Sequence, residues 1–86
     1  MTNQIEIYTK DYCPYCDKAK ALFEQLGYSW EDKRVDLHPE HFEALRQRVP
    51  SARTMPQIFI NGKHIGGCDD LYALHQSGKL TDYFLT

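Results

Sequence analysis

The sequence predicts an α/β fold, a four-stranded mixed β-sheet flanked by helices. Three observations predict it. Gln4 to Thr9 (Gln-Ile-Glu-Ile-Tyr-Thr) alternates polar and apolar residues with β-branched members, a strand signature. A helical pattern and a second strand pattern follow, and a strand–helix–strand opening implies parallel pairing through a right-handed crossover. Asn61-Gly62 stands between Gln57-Ile58-Phe59-Ile60 and Lys63-His64-Ile65, which is a strong short-range signal for an antiparallel hairpin.

The elements follow in order. Lys10-Asp11-Tyr12 links the first strand to a helix that opens on Pro14, a residue suited to the first helical turn. Ala19, Leu22, Phe23 and Leu26 recur at helical spacing as its inward face, and Gly27 is its stop. Tyr28 to Leu37 holds the second strand, with Trp30 and Val35 expected as its buried members. Pro39 opens a second helix with Glu40 and Glu43 near its positive end. Phe42, Leu45 and Val49 form its expected inner stripe, and Pro50 ends it. After the hairpin, Gly66-Gly67 breaks the ladder. A third helix carries Leu71 and Leu74 inward and ends at Gly78, and Leu80 to Leu85 adds a short terminal helix. No linker or repeat interrupts this order, so residues 1–86 are read as a single domain.

Composition narrows the function classes. The apolar content of 42% suits a small globular core. Ten basic and twelve acidic residues give a net charge of −2, spread rather than clustered, which argues against a nucleic-acid footprint or a polybasic membrane anchor. The start, Met1-Thr2-Asn3-Gln4, is polar, and no run approaches the length of a membrane span. Three cysteines, an odd number, suit reactive thiols in a reducing compartment, and a cytoplasmic location is expected.

Cys13-Pro14-Tyr15-Cys16 falls at the junction of strand and helix. One thiol thus sits at a helix N-terminus, where backbone N–H groups and the helix dipole favour the thiolate, the reactive form. Lys10 adds positive charge nearby. Cys16, a turn further in and more shielded, is placed to displace whatever Cys13 has bonded, and Tyr15 is placed to shield the site. A zinc site with His38 and His41 is the competing reading. Its spacing is poor, because His-x-x-His is tighter than the usual separation of zinc ligands. No metal is expected.

Two further segments carry candidate binding residues. Thr54-Met55-Pro56 precedes the third strand. Pro56 cannot donate to a ladder, so it opens that strand. The local tripeptide favours a trans bond, since only about 5–6% of X–Pro bonds in folded proteins are cis. Opposite the cysteines, the Met55 backbone would pair with a bound peptide as an added strand. Gly66-Gly67-Cys68-Asp69-Asp70 leads into the third helix, where glycines admit a ligand to the backbone and the helix start offers N–H groups to a carboxylate. An aspartate there would hold an ammonium group, or would simply cap the helix. Cys68 reads as a small buried residue, and His64 and His75 as surface or half-buried side chains.

Cys13-Pro14-Tyr15-Cys16, Thr54 to Ile60 and Gly66 to Leu71, in this order and spacing, resemble the glutaredoxins of the thioredoxin fold. Within that family they resemble the small bacterial dithiol type. The resemblance covers essentially the whole chain. It implies a cis Pro56, Cys13 as nucleophile, Cys16 as resolving thiol, and glutathione as co-substrate. It further implies that Lys10 binds the glycyl carboxylate, that Tyr15 packs on the ligand, and that Met55 pairs with the cysteinyl backbone beside Thr54 and Pro56. Cys68 and Asp69, with Gly67 as a further glutathione contact, would meet the γ-glutamyl carboxylate on their backbone N–H groups, Asp70 would hold its ammonium, and Arg53 would assist with a carboxylate. One departure is Met55, where the family usually has valine.

The implied activity is glutathione-dependent reduction of protein disulfides and glutathione mixed disulfides by a monomer, with ribonucleotide reductase as a family-level protein substrate. Two rivals remain. A redoxin fed by thioredoxin reductase would not need the Gly66-to-Asp70 site. An iron–sulfur carrier would use Cys13 and glutathione as ligands in a dimer, which Pro14 and Cys16 disfavour.

Overall fold

The computed structural model describes residues 2–85; Met1, part of the polar N-terminal stretch, and Thr86 lie outside them. The chain runs β1 (Ile5–Thr9), α1 (Pro14–Gln25), β2 (Glu31–Arg34), α2 (Pro39–Arg48), β3 (Gln57–Ile60), β4 (Lys63–Gly66) and α3 (Cys68–Gln76), then a 3-10 turn at Leu80–Tyr83. The strands form one sheet in the order β2-β1-β3-β4. β1 and β2 pair in parallel, whereas β1 with β3 and β3 with β4 are antiparallel. This is the thioredoxin fold, a mixed four-stranded sheet flanked by helices. Among the described residues no helix is long and apolar enough to cross a membrane.

The central strands are buried on both faces, which orients the rest. Ile5, Ile7, Ile58 and Ile60 face a core completed by Phe23 and Leu22 of α1 and Leu71 of α3. Tyr8 and Phe59 point to the opposite face and pack with Leu45 of α2. β1 and β2 are joined by α1 in a crossover, and the Asn61-Gly62 turn closes the hairpin. Both turn residues have positive φ, 51° and 83°, the backbone that a two-residue hairpin requires. Gly66 and His64 pair with the consecutive residues Ile58 and Phe59, so Ile65 is the extra residue of a bulge.

Four expectations need correction. Trp30 and Val35 are half-buried and lie just outside β2, whose four residues Glu31, Asp32, Lys33 and Arg34 are all charged. β2 is the edge of the sheet, so it is held by ion pairs as well as by the ladder. Lys33 Nζ reaches Glu6 Oε2 at 2.8 Å, and Lys20 Nζ of α1 reaches Asp32 Oδ2 at 2.7 Å. Phe42 is 45% exposed, leaving Leu45 as the fully buried residue of α2. α2 is instead fastened by Arg48, which donates to Glu6 and to the Tyr8 hydroxyl and lies 3.7 Å from the centre of the Phe59 ring. Leu26 is likewise exposed at the end of α1, and Leu74 is only half-buried.

Candidate active site

Cys13 is the N-cap of α1, with Pro14 in the first turn as the sequence requires. The Cys16 N–H donates to Cys13 Sγ at 3.2 Å, and the Asp17 N–H to the Cys13 carbonyl at 3.1 Å. The sulfur atom therefore occupies the place of a capping oxygen, where a negative charge is stabilised. Cys13 and Cys16 are joined as a disulfide, with Cα atoms 5.1 Å apart. Cys13 is the more accessible, at 8% against 1% for Cys16.

The loop before Cys13 is braced from β2. Tyr12 has φ of 49°, an uncommon backbone for a residue with a side chain. Its N–H bonds to Asp11 Oδ1, and the Asp11 N–H bonds to Asp36 Oδ2, both at 3.1 Å. Arg34 grips Asp36 through two nitrogens, at 2.8 and 2.6 Å. The Arg34 hydrogen bonds hold the Asp36 carboxyl far below the usual carboxylate range. Sequence reasoning missed this brace; Arg34 and Asp36 two apart at the end of a strand are its only local trace.

The Met55–Pro56 bond is cis, and the Met55 carbonyl oxygen lies 3.6 Å from Cys13 Sγ. The backbone before Pro56 is thus brought against the sulfur from the neighbouring strand β3. Beside Met55 lies a groove of about 580 Å³, bordered by Tyr15 and Met55 and not lined by Cys13 itself. Tyr15 stands on one side, 59% exposed. Thr54, Met55 and Pro56 line it, as do Gly67, Cys68, Asp69 and Asp70. Lys10 is exposed on the loop after β1 and is not among the lining residues. Arg53 lines the groove, as do Gln57 and His64, whose part the sequence reading did not anticipate.

At the start of α3 the Asp70 carboxylate accepts from the Gly67 N–H at 3.0 Å, so the capping role foreseen for an aspartate is present. Gly66 has φ of +116°, and a Cβ there would run into the Asp70 carboxyl group. The glycine is required twice over, by its backbone and by its neighbour. Cys68 is buried, and burial pushes its thiol above the ordinary value; Asp69 adds to that while Lys18 opposes it. Among the described residues no group of three or more His, Cys, Asp or Glu side chains is placed to hold a metal. His38 and His41 meet each other edge-on at 5.3 Å, with His38 Nδ1 3.4 Å from Glu40.

A cysteine pair at a helix N-terminus, facing a cis-proline turn on this sheet, defines a thioredoxin-fold thiol–disulfide oxidoreductase. Residues 5–65 match the sequence profile of the Glutaredoxin family. Glutaredoxin 3 of Escherichia coli is 49% identical over 76 residues, 88% of this chain and 90% of that protein. A probable glutaredoxin of Synechocystis is 47% identical over 77 residues, 90% and 88% of the two chains. Among solved structures, a buckwheat glutaredoxin–glutathione complex superposes with a TM-score of 0.81 at 39% identity, over 94% of this chain and 76% of that one. The dithiolic glutaredoxin of Trypanosoma brucei brucei gives 0.80 at 34%, over 94% and 86%. The chain belongs to the glutaredoxin family, and its activity is glutathione-dependent thiol–disulfide oxidoreduction.

Proposed function

We propose that Cys13 is the nucleophile and Cys16 the resolving thiol, and that the groove from Tyr15 to Asp70 holds glutathione. The observation that carries this reading is the position of Cys13 Sγ, capped by the Cys16 N–H and 3.6 Å from the carbonyl of Met55, a residue that lines the groove. In the reduced protein the Cys13 thiolate attacks the glutathionyl sulfur of a mixed disulfide and releases the substrate thiolate, which takes up a proton. A second glutathione thiolate then attacks the glutathione sulfur bonded to Cys13, forming glutathione disulfide and restoring the Cys13 thiolate. With a protein disulfide, Cys13 forms the mixed disulfide and Cys16 attacks the Cys13 sulfur. The substrate leaves as a dithiol, and the Cys13–Cys16 bond present here is the product.

Within the groove, the free N–H groups at the start of α3 suit the γ-glutamyl carboxylate, with Asp69 and Asp70 near its ammonium. The Met55 backbone is assigned to the cysteinyl unit, flanked by Thr54 and Pro56, and Tyr15 covers it. Lys10 would reach the glycyl carboxylate by extending its side chain from the adjacent loop. We further place the whole chain, as one domain and a monomer, in the cytoplasm, where three cysteines without a structural framework fit a reducing pool. Ribonucleotide reductase is the first protein disulfide to test. The residue roles are tested by mixing Cys16→Ser with glutathione disulfide. A single glutathionyl adduct on the Cys13 peptide supports them, and an adduct on Cys68 alone contradicts them.

A further inference from the structure

Gln57 is a polar side chain with 7% exposure on the first residue of β3, and such burial requires partners for both ends of its amide. Its Nε2 donates to the Thr54 carbonyl at 2.9 Å. Its Oε1 lies 2.8 Å from His64 Nε2 on β4. A carbonyl only accepts, so the amide nitrogen must face Thr54, and the amide oxygen must face His64. The proton of the imidazole therefore sits on Nε2. The His64 ring rests 5.0 Å from that of Phe59, and the bulge at Ile65 sets it opposite Phe59, diagonal to Gln57. Thr54, Gln57 and His64 all border the groove. Upstream, the same segment is tethered by the Ala52 N–H to the Val49 carbonyl at 3.0 Å.

We propose that His64, acting through Gln57, is a positioning residue that holds the Thr54 carbonyl and thereby fixes the Met55 backbone against which the glutathionyl substrate docks. This rests on the reading of the groove given above. His64 touches neither cysteine. Without its N–H the Gln57 oxygen loses its partner on a largely buried residue, and the amide then turns or the strand end shifts to reach water. Either movement releases Thr54 and displaces Met55. The chemical step at Cys13 is left intact, so the loss falls on binding.

The test is steady-state reduction of a glutathionylated peptide by wild type, His64→Phe, His64→Gln, Gln57→Leu and the His64→Phe/Gln57→Leu double variant, each checked for folding by thermal melt. His64→Phe keeps an aromatic ring beside Phe59 but removes the donor; it should raise KM about fivefold, with kcat within about twofold. His64→Gln restores a donor and should recover most of that loss. The double variant should be no worse than Gln57→Leu alone, because the two residues act in series. An unchanged KM in His64→Phe, an equal rise in His64→Gln, or additive losses would overturn the proposal. A wild type without turnover would overturn the underlying groove reading and this inference together, and is distinguished because it fails before any variant is compared.

Discussion

The sulfur of Cys13 lies 3.6 Å from the carbonyl oxygen of Met55, 42 residues away in sequence. The two meet because β1 and β3 are neighbours, which places the loop after one strand beside the loop before the other. Cys13 is the outer thiol of its pair and Cys16 is sealed beneath it. Cys16→Ser should therefore retain reduction of glutathione mixed disulfides, which need one thiol, while losing most reduction of protein disulfides. Parallel assays on the two substrate types check this. Loss of both activities, or full retention of both, would contradict the division of roles.

Glu6 ties three elements through Lys33 and Arg48. Its partial burial opposes ionisation, but hydrogen bonds from Arg48 and Lys33 outweigh that and hold its carboxyl below the ordinary 4.5. Burial likewise opposes ionisation of Asp32, and its bonds from Lys20 and Thr9 prevail, lowering it from 3.8. A carboxyl lowered by folding contributes stability that is fully present above its unfolded value and lost as pH falls through its folded one. Denaturant melts should thus show stability level near neutrality and declining below about pH 4. Glu6→Gln should cost about 1–2 kcal/mol at pH 7 and flatten that acid decline. An unchanged acid limb in this variant would contradict the assignment.

Gly66→Ala places a methyl group against the Asp70 carboxylate on a backbone at φ +116°. The expected loss is about 1–3 kcal/mol of stability, with weaker glutathione binding because the start of α3 shifts. Calorimetric unfolding and glutathione-dependent kinetics on the same preparation measure both. A variant as stable as the wild type would show that the Asp70 cap is dispensable.

Cys68 is buried and its thiol is raised, whereas Cys13 sits at a helix N-terminus with a backbone N–H on its sulfur. In the reduced protein, limiting iodoacetamide near pH 7 should label Cys13 before Cys68, read by peptide mass spectrometry. Faster labelling of Cys68 would reverse the assignment of reactive thiol.

The parts legible in the sequence are those written in local chemistry. Pro14 after Cys13, Asn61-Gly62, and Pro39 each constrain their own backbone, and the elements begin or turn there. Helical spacing placed Ala19, Leu22 and Phe23 in the core, but it cannot tell how far a stripe reaches, so Leu26 and Phe42 emerged exposed. Trp30 and Val35 were misjudged because apolar content marks a buried strand, and an edge strand can be built from charged residues alone. The Asp36 brace and the Gln57–His64 pair were invisible for another reason. Asp11 and Asp36 are 25 residues apart, and His64 reaches Gln57 only because a bulge reorients β4. Such contacts exist once the sheet is assembled, and single-residue patterns carry no record of them.

The most direct test is glutathione-dependent reduction of a glutathione mixed disulfide, with glutathione reductase recycling the product, on wild type and Cys13→Ser. Turnover by the wild type that vanishes in the variant is the expected result. It would establish Cys13 as the nucleophile and glutathione as its reductant. Undiminished turnover in Cys13→Ser, or none in a wild type whose cysteine pair still cycles between dithiol and disulfide, would contradict the account.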